Sequence, residues 1–412
     1  MNRRNFLKMT GLGVAGMSIA GWGRTAESRE KLPNIVYILC DDLGYGDVKC
    51  LNPEGKIATS NVDKLAAGGM IFTDAHSGSS VCTPTRYGVM TGRYSWRTRL
   101  QTGVLGGYSS RLIAPGRMTV ASFLKENGYA TACFGKWHLG MDWARTSDEP
   151  LPDAIKNASN VDFSKPAEGG PADCGFDYYF GISASLDMPP YVFIENKKAV
   201  SIPAEITKEG GREGLTAKDF KAVDVLPALT RKTVEYIEKN SARSKEGKPF
   251  FIYMPLNSPH TPIVPTAEWQ GKSGLGKYGD FVMETDAFVG RILEAVQKSG
   301  AADNTLVIFT SDNGCAPYIG VKDLEAQGHF PSGPLRGYKA SAWEGGHRLP
   351  FIVRWPGVVK PGTVCPQLIQ QGDLIATLAQ MFRVKLPDNA GEDSVGILPL
   401  GFRDSAYPND KP

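Results

Sequence analysis

Short, unbroken apolar runs recur along the chain, and several of them close on a polar or acidic cluster. Residues 34–40 (NIVYILC) carry β-branched and aromatic side chains at successive positions, which predicts a strand buried on both faces of a parallel sheet. Similar runs predict strands at 70–73, 129–134, 176–186, 249–255, 305–310 and 350–355. Between them, apolar positions three and four apart predict helices at 61–68, 118–127, 223–240, 278–299 and 373–382. Gly128 closes the second of these, and Phe281, Phe288, Ile292 and Val296 form a core stripe on the fourth. Residues 144–175 and 201–219 lack periodicity and read as loops, the first a surface excursion walling a pocket. The alternation predicts an α/β fold, a doubly wound, mostly parallel sheet between helices, with ligands along the strand C-termini.

The polar residues at those strand ends supply candidate chemistry. Asp41 and Asp42 follow the first strand, and Asp312 and Asn313 follow the run TLVIFT. A turn or helix cap accounts for one aspartate but poorly for two pressed against an apolar run. Together the four form an oxygen-only set with no histidine or thiolate beside it, which suits Ca²⁺ first and Mg²⁺ second. Lys136 and His138 lie just past the 129–134 strand and can point into one mouth if the chain stays extended, although such a pair is more often solvated surface. His260 sits between Pro259 and Pro262, in a rigid turn where core filling is a poor explanation. Cys82 precedes Pro84, which suits the first turn of a helix, so the cysteine is expected at a helix N-terminus where an anion is stabilised. Arg86, one turn on, adds a cation there, against the plainer reading of a buried cysteine beside a surface arginine.

Composition narrows the function classes. With 412 residues, 42% hydrophobic and 22% charged, the chain reads as a soluble globular protein. A formal charge of +3 with scattered basic residues gives no footprint for nucleic acid. The head Asn2-Arg3-Arg4-Asn5-Phe6-Leu7-Lys8 and the glycine-rich apolar run after it read as an export signal, the paired arginines resembling a twin-arginine leader. That run is too short for a stable membrane span, so an exported protein, periplasmic or secreted, is expected. Apart from Cys82, six cysteines remain, widely spaced, and their pairing stays open.

Cys82-Thr83-Pro84-Thr85-Arg86, followed by Thr91-Gly92-Arg93, resembles the signature of the type I sulfatases, arylsulfatase and N-acetylgalactosamine-6-sulfatase-like enzymes included. Thr85 stands where serine is commoner. The resemblance continues through Gly135-Lys136-Trp137-His138-Leu139-Gly140, His260 and the segment from Leu335 to Gly346. It implies an alkaline-phosphatase-like fold, hydrolysis of sulfate esters, and oxidation of Cys82 to formylglycine by a maturase. It further implies Asp41, Asp42, Cys82, Asp312 and Asn313 around the metal, with Asp312 helping to activate the attacking hydroxyl. Arg86 and Lys136 would hold the hydrated aldehyde, His138 take its proton, and Ser185, His260, Lys136 and Lys339 contact the sulfate, with His260 the acid for the leaving alcohol. The expected substrate is a sulfated saccharide or other small molecule. His76, His329 and His347 match no catalytic position and read as ordinary surface or hydrogen-bonded residues. The implied organisation is an export signal over 1–32, a catalytic domain over 33–400, and at 401–412 the start of a truncated C-terminal region, the small subdomain usual in the family being expected to be largely absent. Two other readings remain: a phosphate or phosphonate ester hydrolase of the same fold, and a non-catalytic binder of sulfated glycans if Cys82 stays a thiol.

Overall fold

The computed structural model describes residues 32–398. The leader and the 401–412 region therefore lie outside the described residues. From one edge to the other, the central sheet of ten strands runs Thr363–Cys365, Met70–Phe72, Phe351–Arg354, Thr305–Ser311, Asn34–Cys40, Phe250–Pro255, Ala130–Lys136, Tyr178–Ile182, Ile194–Glu195 and Lys198–Ala199. The five strands from Thr305–Ser311 to Tyr178–Ile182 are mutually parallel, and Asn34–Cys40 lies between Thr305–Ser311 and Phe250–Pro255, in register with both. Every residue of Asn34–Cys40 is buried, as expected for a strand covered on both faces.

Antiparallel pairs flank this parallel centre. Phe351–Arg354 runs against Thr305–Ser311 on one side, and Ile194–Glu195 against Tyr178–Ile182 on the other. Helices Ser60–Ala67, Val225–Lys245 and Gly276–Lys298 pack together on one face, and Cys82–Thr91, Val120–Glu126 and Leu374–Phe382 on the other. The doubly wound, mostly parallel architecture read from the sequence is the one observed.

The differences are local. The strand expected over 176–186 is Tyr178–Ile182, because the chain leaves the sheet at Ser183 and turns toward the strand ends, where the Met188 N–H donates to the Ser185 carbonyl (2.9 Å). The helix expected over 118–127 is Val120–Glu126, started by Thr119, whose Oγ1 accepts the Ser122 N–H (3.0 Å). The expected loop at 201–219 contains a two-stranded hairpin, Glu205–Thr207 against Gly214–Thr216. Strands of three residues are too short to show a periodicity.

Candidate active site

All five parallel strands deliver side chains to one end of the sheet, at the strand C-termini. Asp41 and Asp42 follow Asn34–Cys40, Asp312 and Asn313 follow Thr305–Ser311, and Lys136 ends Ala130–Lys136 with His138 two residues on. Ser185 and His260 arrive on the turns after Tyr178–Ile182 and Phe250–Pro255. Lys339 comes from the long segment between Thr305–Ser311 and Phe351–Arg354. Parallel strands point their C-termini the same way, so this convergence is a consequence of topology.

The helix Cys82–Thr91 begins at the same place. Cys82 is its first residue, buried, and no side chain caps that end, so the unpaired N–H groups of the first turn remain available to an anion. Gly92, in the left-handed region at φ 61°, closes the helix. Arg86 is not the surface arginine of the plainer reading but fully buried. Its Nε and Nη2 donate to Asp312 Oδ2 (2.9 and 2.7 Å), and its Nη1 donates to the Lys136 carbonyl (2.9 Å).

The remaining contacts make one connected cluster. Lys136 Nζ donates to Asp41 Oδ2 (2.7 Å) and to Ser185 Oγ (3.1 Å). Lys339 Nζ donates to both oxygens of Asp42 (2.6 and 2.8 Å), and Asn313 Nδ2 donates to Asp42 Oδ1 (2.7 Å). Ser185 Oγ lies 3.3 Å from each ring nitrogen of His260, whose Nε2 is 3.6 Å from Asp42 Oδ2. One correction follows: a histidine does stand beside the oxygen set, since ligand atoms of Asp41, Asp42 and His260 all lie within 4.8 Å of one another. The sequence could not show this, because the turn bearing His260 meets Asp42 only in the folded sheet.

Three carboxylates crowd this cluster, and their ionisation shows how tightly. Burial opposes the charge on Asp41, yet Lys136, His260 and Arg86 outweigh it and hold the carboxyl below the usual range. At Asp312, burial and then the charge of Asp41 push the carboxyl up to about 6 in spite of Arg86 and Lys136. Two acceptors in the cluster, Asp41 Oδ1 and Asn313 Oδ1, are buried without a hydrogen-bond donor. Buried oxygens that accept no hydrogen bond are costly, and the Arg86 guanidinium, 3.6 Å from Asp41 Oδ1, stands too far to donate one. A hard divalent cation would satisfy both and relieve the crowding at Asp312, so these residues fit such an ion. With that ion added, Arg86, Lys136 and Lys339 leave a surplus of positive charge, which suits an anionic ester.

Burial pushes the Cys82 thiol up, against the pull of Lys136 and Lys339, so the unmodified residue is a poor nucleophile. His138 is held neutral by burial, with Lys136 and Arg86 acting in the same direction. Its Nε2 contacts the Leu105 carbonyl (2.7 Å), which places the hydrogen there and leaves Nδ1 as a buried acceptor with no partner. A depressed histidine pKa means the unfolded chain binds a proton that the native state refuses, so native stability is complete above the unfolded value and falls as pH drops below it. His138→Gln is expected to flatten the loss of stability between about pH 6.5 and 5, by at most about 1.4 kcal/mol per pH unit, in denaturant melts at the two pH values. An unchanged slope would show that His138 is not buried neutral.

A second network, missed from the sequence, holds the aspartate turn. Asp47 Oδ2 accepts the Gly44 N–H (2.8 Å) and the Tyr278 hydroxyl (2.5 Å), while His329 Nε2 meets Asp47 Oδ1 at 2.8 Å. The Lys56 N–H donates to His329 Nδ1 (3.1 Å), which fixes the tautomer with its hydrogen toward Asp47. A Cβ at Gly44 or Gly46 would fall 2.1 Å from the carbonyls of Pro331 or Phe330, so glycine is needed where the two segments touch. The segment bearing His329 continues to Lys339, so one buried node aligns both Asp42 and the lysine that binds it. The spacing of 282 residues between Asp47 and His329 hid it from the sequence. Tyr278→Phe is expected to cost about 1.5–3 kcal/mol in denaturant unfolding and to loosen metal retention on dialysis, because a buried carboxylate loses a donor. Unchanged values for both would remove the node from the account.

Fold and site thus define a class: a doubly wound, alkaline-phosphatase-like hydrolase with an anion site beside a cradle for a divalent cation. The chain belongs to the sulfatase family, whose model matches residues 33–384. It is 35% identical over 404 residues to an N-acetylgalactosamine-6-O-sulfatase of Bacteroides thetaiotaomicron, covering 88% of this chain and 75% of that protein. Human arylsulfatase A is 34% identical over 377 residues, covering 89% and 67%. A solved Bacteroides thetaiotaomicron structure, described under the metabolism of multiple glycosaminoglycans, superposes with a TM-score of 0.79 at 34% identity, covering 90% of this chain and 81% of that one. The protein is accordingly a sulfuric ester hydrolase, an enzyme whose family implies a bound metal and a formylglycine.

Proposed function

We propose that the enzyme hydrolyses sulfate esters of carbohydrates through a formylglycine made from Cys82, with calcium in the Asp41, Asp42, Asp312 and Asn313 cradle. The observation that carries this reading is the pair of buried, donor-free oxygens, Asp41 Oδ1 and Asn313 Oδ1, in a cation-rich pocket that includes the first residue of the Cys82–Thr91 helix. When bound, the cation supplies Lewis-acid stabilisation of the sulfate oxygens and eases deprotonation of a hydroxyl held beside it. The hydrated aldehyde supplies a nucleophilic hydroxyl and a second one through which the carbonyl is restored.

The chain's own residues do the rest. Lys339 has a side chain 11% exposed, whereas Arg86 and Lys136 are fully buried, so Lys339 is the cation that meets the arriving sulfate. Arg86 and Lys136 hold Asp312 and Asp41 in place and set the positive field behind position 82. Asp312 assists deprotonation of the attacking hydroxyl, and His138 takes a proton at its free Nδ1 when sulfate departs. His260, steadied by Ser185 and 4% exposed, protonates the leaving alcohol. Ser185, which accepts from Lys136 Nζ (3.1 Å), completes the sulfate contacts, and Lys136 reaches the anion from behind it once the ester is seated.

Carbohydrate substrates are proposed because the protein compared first acts, by its name, on an N-acetylgalactosamine sulfate. The pocket wall supports this: the Ala154 carbonyl from the 144–175 loop packs against Gly106, next to the Leu105 that orients His138. A sulfated monosaccharide such as N-acetylgalactosamine 6-sulfate is expected to exceed p-nitrophenyl sulfate in kcat/KM by about tenfold or more, since hydroxyl contacts are lost with an aryl group. An aryl sulfate surpassing every sulfated sugar would end the glycan assignment. Comparing sulfate and phosphate esters of one alcohol tests the phosphoesterase alternative.

We further read residues 1–32 as a twin-arginine export signal, residues 33–400 as the catalytic domain and 401–412 as the beginning of a C-terminal region. The enzyme then works in the periplasm or outside the cell, and its partners are a formylglycine-generating maturase and the export machinery. Among the described residues no helix is long and apolar enough to cross a membrane.

A further inference from the structure

Two histidines outside this cluster are set as a pair of nitrogen ligands. His76 ends the strand Ala75–His76 and His347 ends the helical turn Glu344–His347. Backbone bonds join the two segments, the Ser77 N–H donating to the His347 carbonyl (2.8 Å) and the Leu349 N–H to the Ala75 carbonyl (2.9 Å). The two Nδ1 atoms face each other 2.9 Å apart, with the rings tilted by 36° and their centroids 5.1 Å apart. Each Nε2 is turned to a group that only accepts: the Asp74 carboxylate for His76 (3.0 Å) and the Ala342 carbonyl for His347 (3.3 Å).

An oxygen acceptor on Nε2 places the ring hydrogen there and leaves the lone pair on Nδ1. With both rings in that tautomer, two lone pairs converge at 2.9 Å and repel unless a positive species lies between them. A carboxylate or carbonyl on the far nitrogen is also the arrangement that orients imidazole ligands of metal ions. We propose that His76 and His347 form a second metal site, for a transition ion of the Cu²⁺, Ni²⁺ or Zn²⁺ class, with solvent completing its shell. Nitrogens at this separation suit adjacent positions around an ion with bonds of about 2.0–2.1 Å. Imidazole donors select this class of ion, whereas the oxygen cradle beside Cys82 suits a hard one. Nearby charge is balanced, since Arg348 lies between Asp74 (3.6 Å) and Glu344 (2.6 Å).

The position gives the site a consequence. His76 precedes Cys82 by six residues and His347 follows Lys339 by eight, so a bound ion would staple the approach to the nucleophile onto the segment that carries the sulfate-facing lysine. The test uses the calcium-saturated, formylglycine-bearing full chain, titrated with Cu²⁺ and separately with Zn²⁺ by calorimetry, with electron paramagnetic resonance on the copper form. One equivalent should bind, Cu²⁺ more tightly than Zn²⁺. The copper spectrum should carry coupling to two nitrogens. Both signals should vanish in His76→Gln and in His347→Gln, the second lying on an outer turn where folding is least at risk, and Asp74→Asn should weaken binding about 10- to 100-fold. Sulfate-ester turnover without added transition ion should stay unchanged in all three variants. No binding by the parent, or equal binding by the parent and the histidine variants, would overturn the proposal and leave the two nitrogens sharing a proton.

Discussion

Asp312→Ala is expected to remove turnover and bound metal together, with kcat falling by about 10³-fold or more. Three losses coincide at this residue. An anionic oxygen leaves the cation cradle, the attacking hydroxyl loses its activator, and the guanidinium of Arg86, fully buried and held through Asp312 Oδ2, is left facing Asp41 Oδ1 at 3.6 Å. Breaking one side of a buried ion pair costs about 3–5 kcal/mol, so the variant should also unfold earlier in denaturant. Asp312→Asn separates the effects, because it keeps an acceptor for the Asp42 N–H, bound now at 3.2 Å, and fills the same volume. It should fold yet retain less metal and turn over slowly. Metal analysis, denaturant melts and steady-state kinetics on both variants check this, and full activity in metal-stripped parent enzyme would contradict the role of the cation.

Cys82→Ala should abolish turnover by about 10³-fold or more while leaving fold, metal content and ligand binding intact. The cysteine side chain is small and buried, so its truncation removes little packing, on the order of 1 kcal/mol. Lys339, His260 and the aspartates do not depend on it for position, since Lys339 holds Asp42, Ser185 meets His260, Lys136 holds Asp41 and Arg86 holds Asp312. A sulfated sugar should therefore bind the variant with an affinity within about threefold of the parent KM, read by calorimetry. Loss of binding along with turnover would make Cys82 a structural residue.

The two ends of the proposed metal cradle were legible because buried parallel strands leave an unmistakable trace: NIVYILC and TLVIFT are continuous apolar runs, the first ending at an acidic pair and the second, past Ser311, at Asp-Asn. Cys82 was legible through Pro84, which announces a helix start, and the structure begins its helix at that residue. What escaped was everything set by distant contact. Arg86 looked like a helix-end cation, and its burial against Asp312 depends on a strand 226 residues away. The closeness of His260 to Asp42 depends on the neighbouring parallel strand, and Asp47, His329 and Tyr278 meet from three separate elements. His329 and His347 each appear in the sequence as a lone polar residue near glycines, with no period or spacing to show a partner. The hairpin at 205–216 was hidden for a different reason, since its strands of three residues each are too short for alternation to register.

The most direct measurement concerns position 82 itself. Trypsin should release residues 65–86 as one peptide, with Cys82 five positions from its C-terminal Arg86 when both ends are counted. In enzyme made alongside a maturase, that peptide should resist thiol alkylation, react with a hydrazide, and weigh less than the cysteine form by the exchange of H₂S for a carbonyl oxygen. Activity should rise in proportion to the converted fraction across preparations. A fully active preparation whose 65–86 peptide carries only an alkylatable cysteine would contradict the account.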